Sequence, residues 1–220
     1  PGRQRDPVER HPAVRPGVTV VVPFHEARRR SGLLDRAIRT VHRQTVPVHL
    51  QLAEDIHRIG AAPTRQAGLE LVDTEWTAFL DSDDELDPDH IEQLLACARE
   101  TGADYVYPWF RVKGGSDPFP MFFGKPWDDA HPHQTTITIL VRTGLAQQVG
   151  FHTPPPGSTV GGHRGGEDWH FTLGCLAAGA RIVHHPARTW TWWHHGANTS
   201  GEPNRGDARP NAGRRHARRR

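Results

Sequence analysis

Two aspartates separated by one residue are the first groups in the chain that could bind a cation. Asp81 and Asp83 directly follow the apolar run Thr77-Ala-Phe-Leu80, which has the composition of a buried strand. Residues two apart in extended backbone project their side chains to the same side. Paired carboxylates suit a hard divalent ion such as Mg²⁺ or Mn²⁺, which in turn binds phosphate oxygens. Taken alone, the pair could equally be an acidic turn between a strand and a helix.

A second acidic pair, Glu167 and Asp168, opens a predicted helix after the glycine-rich stretch 161–166. Acidic residues in a first turn stabilise a helix through its dipole, which is the simpler explanation. The other explanation is catalytic, because a carboxylate can act as the general base that takes a proton from a hydroxyl group. Such a base accelerates a reaction by about 10²–10⁴-fold.

An aromatic and histidine cluster, Trp190-Thr-Trp-Trp-His-His195, comes near the end of the patterned sequence. Its large apolar side chains are expected to close the core. His194 and His195 could also supply an imidazole to the same metal ion, or a hydrogen bond to a diphosphate. The pattern leaves open which of the two would do so.

Strands and helices alternate in the first half of the chain, and they must position these groups. The pattern predicts strands over 18–22, 48–53, 77–80 and 105–107. Between them it predicts a helix capped by Ser31 and stopped by Pro47, a helix over 64–72, and a helix capped by Asp87 and closed by Gly102. This alternation favours a parallel sheet covered by helices.

The second half is less regular. Residues 110–132 resemble a loop, 135–141 alternate like a strand, 168–178 form an amphipathic helix, and 181–193 form a last extended segment. Prolines and glycines over 154–166 predict a mobile loop that leads into the second acidic pair.

The composition suits one α/β domain with polar ends. The chain has 220 residues, a net charge of +2 and 35% hydrophobic residues. We predict a flexible N-terminal arm over 1–17, a folded domain over 18–200 and a disordered basic tail over 201–220. No apolar run has the ~20 residues of a membrane span and no signal-peptide pattern opens the chain, so a cytoplasmic protein is expected. Cys97 and Cys175 are interpreted as two buried, reduced thiols.

Taken together, these segments resemble the family 2 glycosyltransferases that have the GT-A fold. The matching segments are Val18-Thr-Val-Val-Val-Pro-Phe-His-Glu26, Val41-His-Arg-Gln-Thr45, Thr64-Arg-Gln-Ala-Gly-Leu69, Trp76-Thr-Ala-Phe-Leu-Asp-Ser-Asp-Asp84, Gly166-Glu-Asp-Trp169, Gly179-Ala-Arg-Ile182 and His195-Gly-Ala-Asn-Thr-Ser200. The resemblance implies a single Rossmann-like α/β domain with a mostly parallel central sheet and helices on both faces. Residues 18–112 would form the nucleotide-sugar half and 113–200 the acceptor half.

The resemblance also implies a role for each matching side chain. Nucleotide-sugar binding would involve Pro23, His25, Glu26, Asp55, Arg65, Asp81 and Ser82. Asp83 and His195 would bind Mn²⁺ or Mg²⁺, and Asp168 would be the catalytic base. Glu167, Trp169 and Trp127 would lie on the acceptor side, where Trp109, Phe119, Phe122 and Phe123 are further candidates for stacking.

The function implied is an inverting, metal-dependent transfer of a sugar from a nucleotide-sugar, with a UDP-sugar as the default, to an acceptor hydroxyl. A nucleotidyltransferase and a non-catalytic carbohydrate- or nucleic-acid-binding module are the alternatives. The acceptor stays open between metabolites, polysaccharide or lipid-linked sugars, proteins and modified DNA bases. The basic run over 213–220 makes a hydroxymethylated DNA base the sharpest of these hypotheses, since such a run can hold phosphates.

Overall fold

A single seven-stranded sheet organises the part of the chain that the structure, a computed structural model, describes: residues 15–153 and 166–195. Its strands are β1 (Arg15–Phe24), β2 (His49–Glu54), β3 (Thr74–Phe79), β4 (Glu85–Leu86), β5 (Tyr105–Lys113), β6 (Leu140–Arg142) and β7 (Ile182–Trp193). They are ordered β2-β1-β3-β6-β5-β7-β4. Outside the described residues lie positions 1–14 of the predicted arm (1–17), positions 154–165 of the predicted loop (154–166) and the whole predicted tail (201–220).

The helices of the same residues are α1 (Glu26–Arg30), α2 (Leu33–His42), α3 (Ala61–Leu69), α4 (His90–Thr101), α5 (Thr143–Val149) and α6 (Glu167–Ala177), with a 3₁₀ turn over Pro120–Phe122. No helix within the described residues is both long and apolar enough to cross a membrane. Cys97 in α4 and Cys175 in α6 are buried, free thiols.

The longest strand pairings are parallel. β1 pairs in parallel with β2 and β3, and β5 pairs in parallel with β7. The short strands β6 and β4 run in the opposite direction, with β6 between β3 and β5 and β4 at the edge beside β7. The carboxyl ends of the five long strands therefore meet at one edge of the sheet. The predicted fold class, a GT-A-like α/β domain, is confirmed.

Strand β1 is a central strand, as its unbroken apolar run predicts. Val20, Val21 and Val22 are fully buried, because helices and neighbouring strands cover both faces. α3 packs closely on β1 through Gly68, where an added Cβ would lie 2.7 Å from Cγ1 of Val21. Arg15 already pairs with Thr74, so the strand begins inside the segment predicted as a flexible arm.

The starts of α2 and α4 differ from the predicted ones, because backbone conformation and pairing determine where these helices begin. Ser31 ends α1 instead of capping the next helix, and α2 begins after Gly32, which has a φ of 75°. Asp87 does not cap α4, because its N–H donates to the carbonyl of Thr189 in β7 and so keeps this residue beside the sheet. The cap position falls to Asp89. Gly102 closes α4 in the left-handed conformation, as predicted.

The second half differs from the prediction in three places. Residues 110–113, predicted as loop, extend β5 because they pair with β7 up to Lys113 and Trp193. Of the strand predicted over 135–141, only its end forms β6 (Leu140–Arg142). α5 (Thr143–Val149) was not predicted, since its seven residues are too few to show a helical period.

Candidate functional site

A pocket of about 720 Å³ opens at the carboxyl ends of the long strands. This is where open α/β sheets bind their ligands. β1 contributes its last residues Pro23 and Phe24, and the turns after β2 and β3 contribute Asp55 and the stretch 81–84. The N-terminus of α6 lines the same pocket through Gly166, Glu167 and Asp168. The pocket therefore brings together both acidic pairs that the sequence singled out.

An aromatic trio holds α6 against the end of β3. Phe171 of α6 stacks on Phe151, with ring centroids 4.2 Å apart, and meets the edge of Phe79 at 6.0 Å. Phe79 is the last residue of β3, two positions before Asp81. Core packing thus fixes the distance between the acids after the strand and the acids at the helix start.

Arg65 joins these two groups of acids directly. Its guanidinium donates from Nη2 to Oδ1 of Asp81 and from Nη1 to Oε1 of Glu167, each over 2.5 Å. The Arg65 side chain is only 5% exposed. Burial alone would lower the pKa of Arg65, but the charges of Asp81, Asp168 and Glu167 raise it above its ordinary value. Arg65 is therefore a fixed positive charge among three carboxylates.

Asp168 has the environment of a proton acceptor. Desolvation raises the pKa of its carboxyl to about 6, against the pull of Arg65 and with help from the charges of Glu167 and Asp81. A base with a pKa near the working pH is largely unprotonated and still binds a proton strongly enough to take it from a hydroxyl group. Gly166 leaves room for this carboxylate, because a Cβ there would lie 2.8 Å from Oδ1 of Asp168.

Asp83 lies in a second cluster, with His195 and Arg28. Oδ2 of Asp83 is 2.8 Å from Nε2 of His195 and 2.8 Å from Nη2 of Arg28. Nη1 of Arg28 is 3.0 Å from the same nitrogen of His195. His194, the other candidate, places its ring 6.0 Å from that of Trp192 instead.

The donor chemistry of Asp83 and His195 fits a divalent cation. A carboxylate oxygen and an imidazole nitrogen 2.8 Å apart can share one cation, and in the structure both face the guanidinium of Arg28. Within the described residues no three or more His, Cys, Asp or Glu side chains form a complete cage. Mg²⁺ commonly takes one or two protein ligands and completes its shell with substrate phosphates. Asp83 and His195 are therefore the residues that would hold the ion.

Asp84, which the sequence prediction did not assign, anchors the strand that leads to His195. Its Oδ1 accepts a hydrogen bond from the N–H of Trp193 over 2.9 Å. Burial raises the pKa of Asp84 well above its ordinary value, and the neighbouring charges of Asp81 and Asp83 add to the rise. The only sequence signal for this role was the position of Asp84 directly after the predicted pair.

Several predicted nucleotide-binding residues line the pocket, namely Pro23, His25, Asp55, Arg65, Asp81 and Ser82. The carboxylate of Asp55 accepts hydrogen bonds from the N–H groups of Ile59 and Gly60, and so it also shapes the turn after β2. Glu26 is not part of the pocket lining. It is exposed on α1, where it pairs with Arg29 and Arg30.

Of the predicted acceptor-side residues, only Glu167 lines the pocket. Trp169 is 3% exposed and belongs to the core. Trp127 packs its ring near those of Tyr107 and His133, outside the pocket lining. Among the further aromatic candidates, Phe119 lines the pocket and Trp109 is buried.

Other residues complete the wall of the pocket, and the sequence analysis did not single them out as pocket residues. The aromatic members are Phe110, Trp190 and Trp192, and the stretch 134–138 that precedes β6 adds Gln134, three threonines and Ile137. Phe110 reaches the pocket because β5 is longer than predicted. Successive side chains of a strand point to opposite faces, so Trp190 and Trp192 of β7 lie on the same face. This spacing is the sequence signal that could have identified them as pocket residues.

Comparisons with known proteins show which family the chain resembles. Residues 53–146 match the family model "Glycosyl transferase family 2". The "Succinoglycan biosynthesis protein ExoW" of Rhizobium meliloti (strain 1021) is 33% identical over 135 residues, which cover 49% of this chain and 41% of that protein.

Solved structures show the same fold at low identity. S. aureus TarS 1-349 in complex with UDP superposes with a TM-score of 0.66 at 16% identity, covering 81% of this chain and 60% of that one. The mannosyltransferase PcManGT from Pyrobaculum calidifontis, in complex with GDP-Man and Mn²⁺, superposes with a TM-score of 0.61 at 16% identity, covering 86% and 60%. The present chain thus spans 41% of the curated relative and 60% of each of these two structures.

The fold and the pocket define the class of this protein, an α/β domain of the GT-A type. Within that class, the match over 53–146 confirms the predicted resemblance to the family 2 glycosyltransferases.

Proposed function

We propose that this chain transfers a sugar from a nucleotide-sugar to an acceptor hydroxyl, with inversion at the anomeric carbon and with the help of a divalent cation. The observation that carries the proposal is one pocket lined by Asp168 together with Asp81 and Asp83. A proton acceptor with a raised pKa and a cation-binding pair are the two groups that such a transfer needs.

The donor side of the pocket is formed by the residues after β1, β2 and β3. TarS has been solved with UDP and UDP-GlcNAc, and PcManGT with GDP-Man and Mn²⁺, which supports a nucleotide-sugar as the donor here. Asp83 and His195 would hold the ion, and Pro23, His25, Asp55 and Ser82 would contact the nucleotide. We take a UDP-sugar as the first donor to test.

The chemistry proceeds as one displacement. Asp168 takes the proton from the acceptor hydroxyl as its oxygen attacks the anomeric carbon, and the bond to the nucleoside diphosphate breaks on the opposite face. Arg65 keeps Asp81 and Glu167 in place while Asp168 changes charge. A divalent ion, when bound, neutralises negative charge on the departing diphosphate. Inversion follows because a single attack comes from the face opposite the leaving group.

The acceptor would enter along the aromatic wall. Phe119 and Trp192 line the pocket and are partly exposed, and Gln134 and the threonines of 134–138 line the same pocket. Aromatic faces bind rings by stacking, and nearby hydroxyl and amide groups orient them. This combination favours an acceptor whose hydroxyl belongs to a ring-shaped, polar molecule such as a sugar.

A panel of UDP-, GDP- and TDP-sugars with Mn²⁺ or Mg²⁺ tests the proposal by binding and turnover. We expect Asp83→Ala to lose the metal-dependent part of donor binding, because it removes one of two protein ligands. We expect Asp168→Asn to keep donor binding and lose about 10²–10⁴-fold in turnover. Asp35→Asn, an exposed change in the first turn of α2, is the matched control and should retain both.

The outcome also separates the alternatives. If none of the nucleotide-sugars binds with either metal, the transferase proposal fails and a binding module on this fold becomes the better hypothesis. If pyrophosphate is released from a nucleoside triphosphate in the presence of a sugar phosphate, the chain is a nucleotidyltransferase.

A further inference from the structure

Arg28 behaves differently from the two arginines that follow it in α1. Arg29 and Arg30 are 51% and 78% exposed in their side chains and pair with Glu26 and Glu54 at the surface. The Arg28 side chain is 18% exposed and lines the pocket. α1 begins two residues after β1 ends, so this side chain reaches the carboxyl edge of the sheet.

The guanidinium of Arg28 contacts the same two atoms that would hold a metal ion. Nη2 lies 2.8 Å from Oδ2 of Asp83, and Nη1 lies 3.0 Å from Nε2 of His195. Both protein atoms are therefore already close to a positive charge. A divalent cation placed between them would meet this charge at close range in a partly desolvated pocket, where repulsion is stronger than in water.

We propose that Arg28 and the divalent cation exclude each other from the Asp83–His195 pair, and that the donor diphosphate draws Arg28 away from it. This inference rests on the proposed function, because it takes the donor to be a nucleoside diphosphate sugar that binds with a metal ion. Phosphate oxygens accept paired hydrogen bonds from a guanidinium at least as well as a single carboxylate does. Arg28 then contacts the diphosphate while the ion takes its former place.

One consequence is that metal and donor bind cooperatively. Without a nucleotide the ion must displace Arg28, and no new partner replaces the contacts that Arg28 loses with Asp83 and His195. With a nucleotide the displaced guanidinium gains phosphate oxygens. Linkage requires that each ligand then strengthens the binding of the other by the same factor.

The decisive measurement is Mn²⁺ binding to the full chain in the absence of any nucleotide. Electron paramagnetic resonance of the free Mn²⁺ reports how much of the ion is bound. We expect Arg28→Met to bind Mn²⁺ at least about fivefold more tightly than the unchanged protein, the lower end of typical coupling between ligands. Arg30→Met removes the same charge from the same helix without touching the pair, and should bind Mn²⁺ as the unchanged protein does. The double variant Arg28→Met, Asp83→Asn should lose the gain, because it lacks a ligand.

Binding of UDP without metal tests the other half of the inference. Arg28→Met should bind UDP several-fold more weakly, since the guanidinium that would contact the diphosphate is absent, while Arg30→Met should bind it normally. Thermal unfolding of each variant checks that the domain is intact. Unchanged or weaker Mn²⁺ binding by Arg28→Met overturns the exclusion, and undiminished UDP binding overturns the contact with the diphosphate. The nucleotide-free Mn²⁺ titration does not depend on the donor panel. A failure of the proposed function can therefore be distinguished from a failure of this inference.

Discussion

At the scale of single residues, neighbours decide what each carboxylate of the pocket can do. Asp83 contacts Arg28 and His195, and its carboxylate oxygen and the imidazole beside it suit a divalent cation. Asp84, one residue later, is buried under the backbone of β7 and has a raised pKa, which suits a structural anchor. Desolvation raises the pKa of Asp168 to about 6, although the nearby charge of Arg65 lowers it. Sequence proximity alone would have given the first two the same role.

The pKa of Asp168 predicts a pH dependence of catalysis. The base must be unprotonated, so the rate is fully present above the pKa and is lost as the pH falls through it. We therefore expect kcat/KM to fall about tenfold per pH unit below pH ~6 and to level off above it. The measurement is kcat/KM for the best donor between pH 4.5 and 8. The residual activity of Asp168→Asn should lack this step, and a midpoint near the ordinary value of an exposed aspartate would contradict the assignment.

At the scale of elements, sequence patterns predicted the features that neighbouring residues determine. They missed the strand lengths that depend on pairing with a distant strand. The unbroken valines of β1, the glycine that closes α4 and the acidic start of α6 were all identified, because each has a local physical cause. The extension of β5 to Lys113 has no such cause. It arises from pairing with β7, whose partner residues lie 77 to 80 positions further along the chain, and neither strand alone indicates its partner.

Close packing between helices gives a prediction for α6, which carries Asp168. A Cβ at Gly174 would lie 2.5 Å from Cγ1 of Val149 in α5. We expect Gly174→Ala to destabilise the domain by about 1–3 kcal/mol, the usual cost of overpacking. Turnover should fall with it, because α6 must shift. Urea unfolding monitored by circular dichroism gives the stability.

Gly144→Ala in α5 is the matched control for Gly174→Ala. A Cβ at Gly144 would meet nothing within 4 Å, so this change should be neutral or stabilising by up to about 1 kcal/mol. Equal effects of the two changes would contradict the packing argument, because both replace a helical glycine by alanine.

At the scale of the whole molecule, the sheet interleaves the two halves that the sequence predicted. β6 and β7 come from the second half, yet β6 lies between β3 and β5, and β7 lies between β5 and β4. The pocket draws its walls from both halves for the same reason. The sequence predicted which acidic residues meet in the pocket, since their types and positions are local. It could not predict Arg28 or Phe110, whose approach to the pocket depends on how α1 leaves β1 and how far β5 extends.

This interleaving predicts that a donor stabilises the domain as one unit. A ligand at 100 times its Kd adds about 2.7 kcal/mol to the free energy of unfolding. In a domain of this size that corresponds to a rise in Tm of roughly 5–10 °C. UDP with Mn²⁺ should therefore shift a single calorimetric transition upward. UMP with Mn²⁺ at the same concentration should shift it less, because it lacks the second phosphate. Two transitions, of which only one moves with UDP, would mean that the halves unfold separately and that the shared sheet does not couple them.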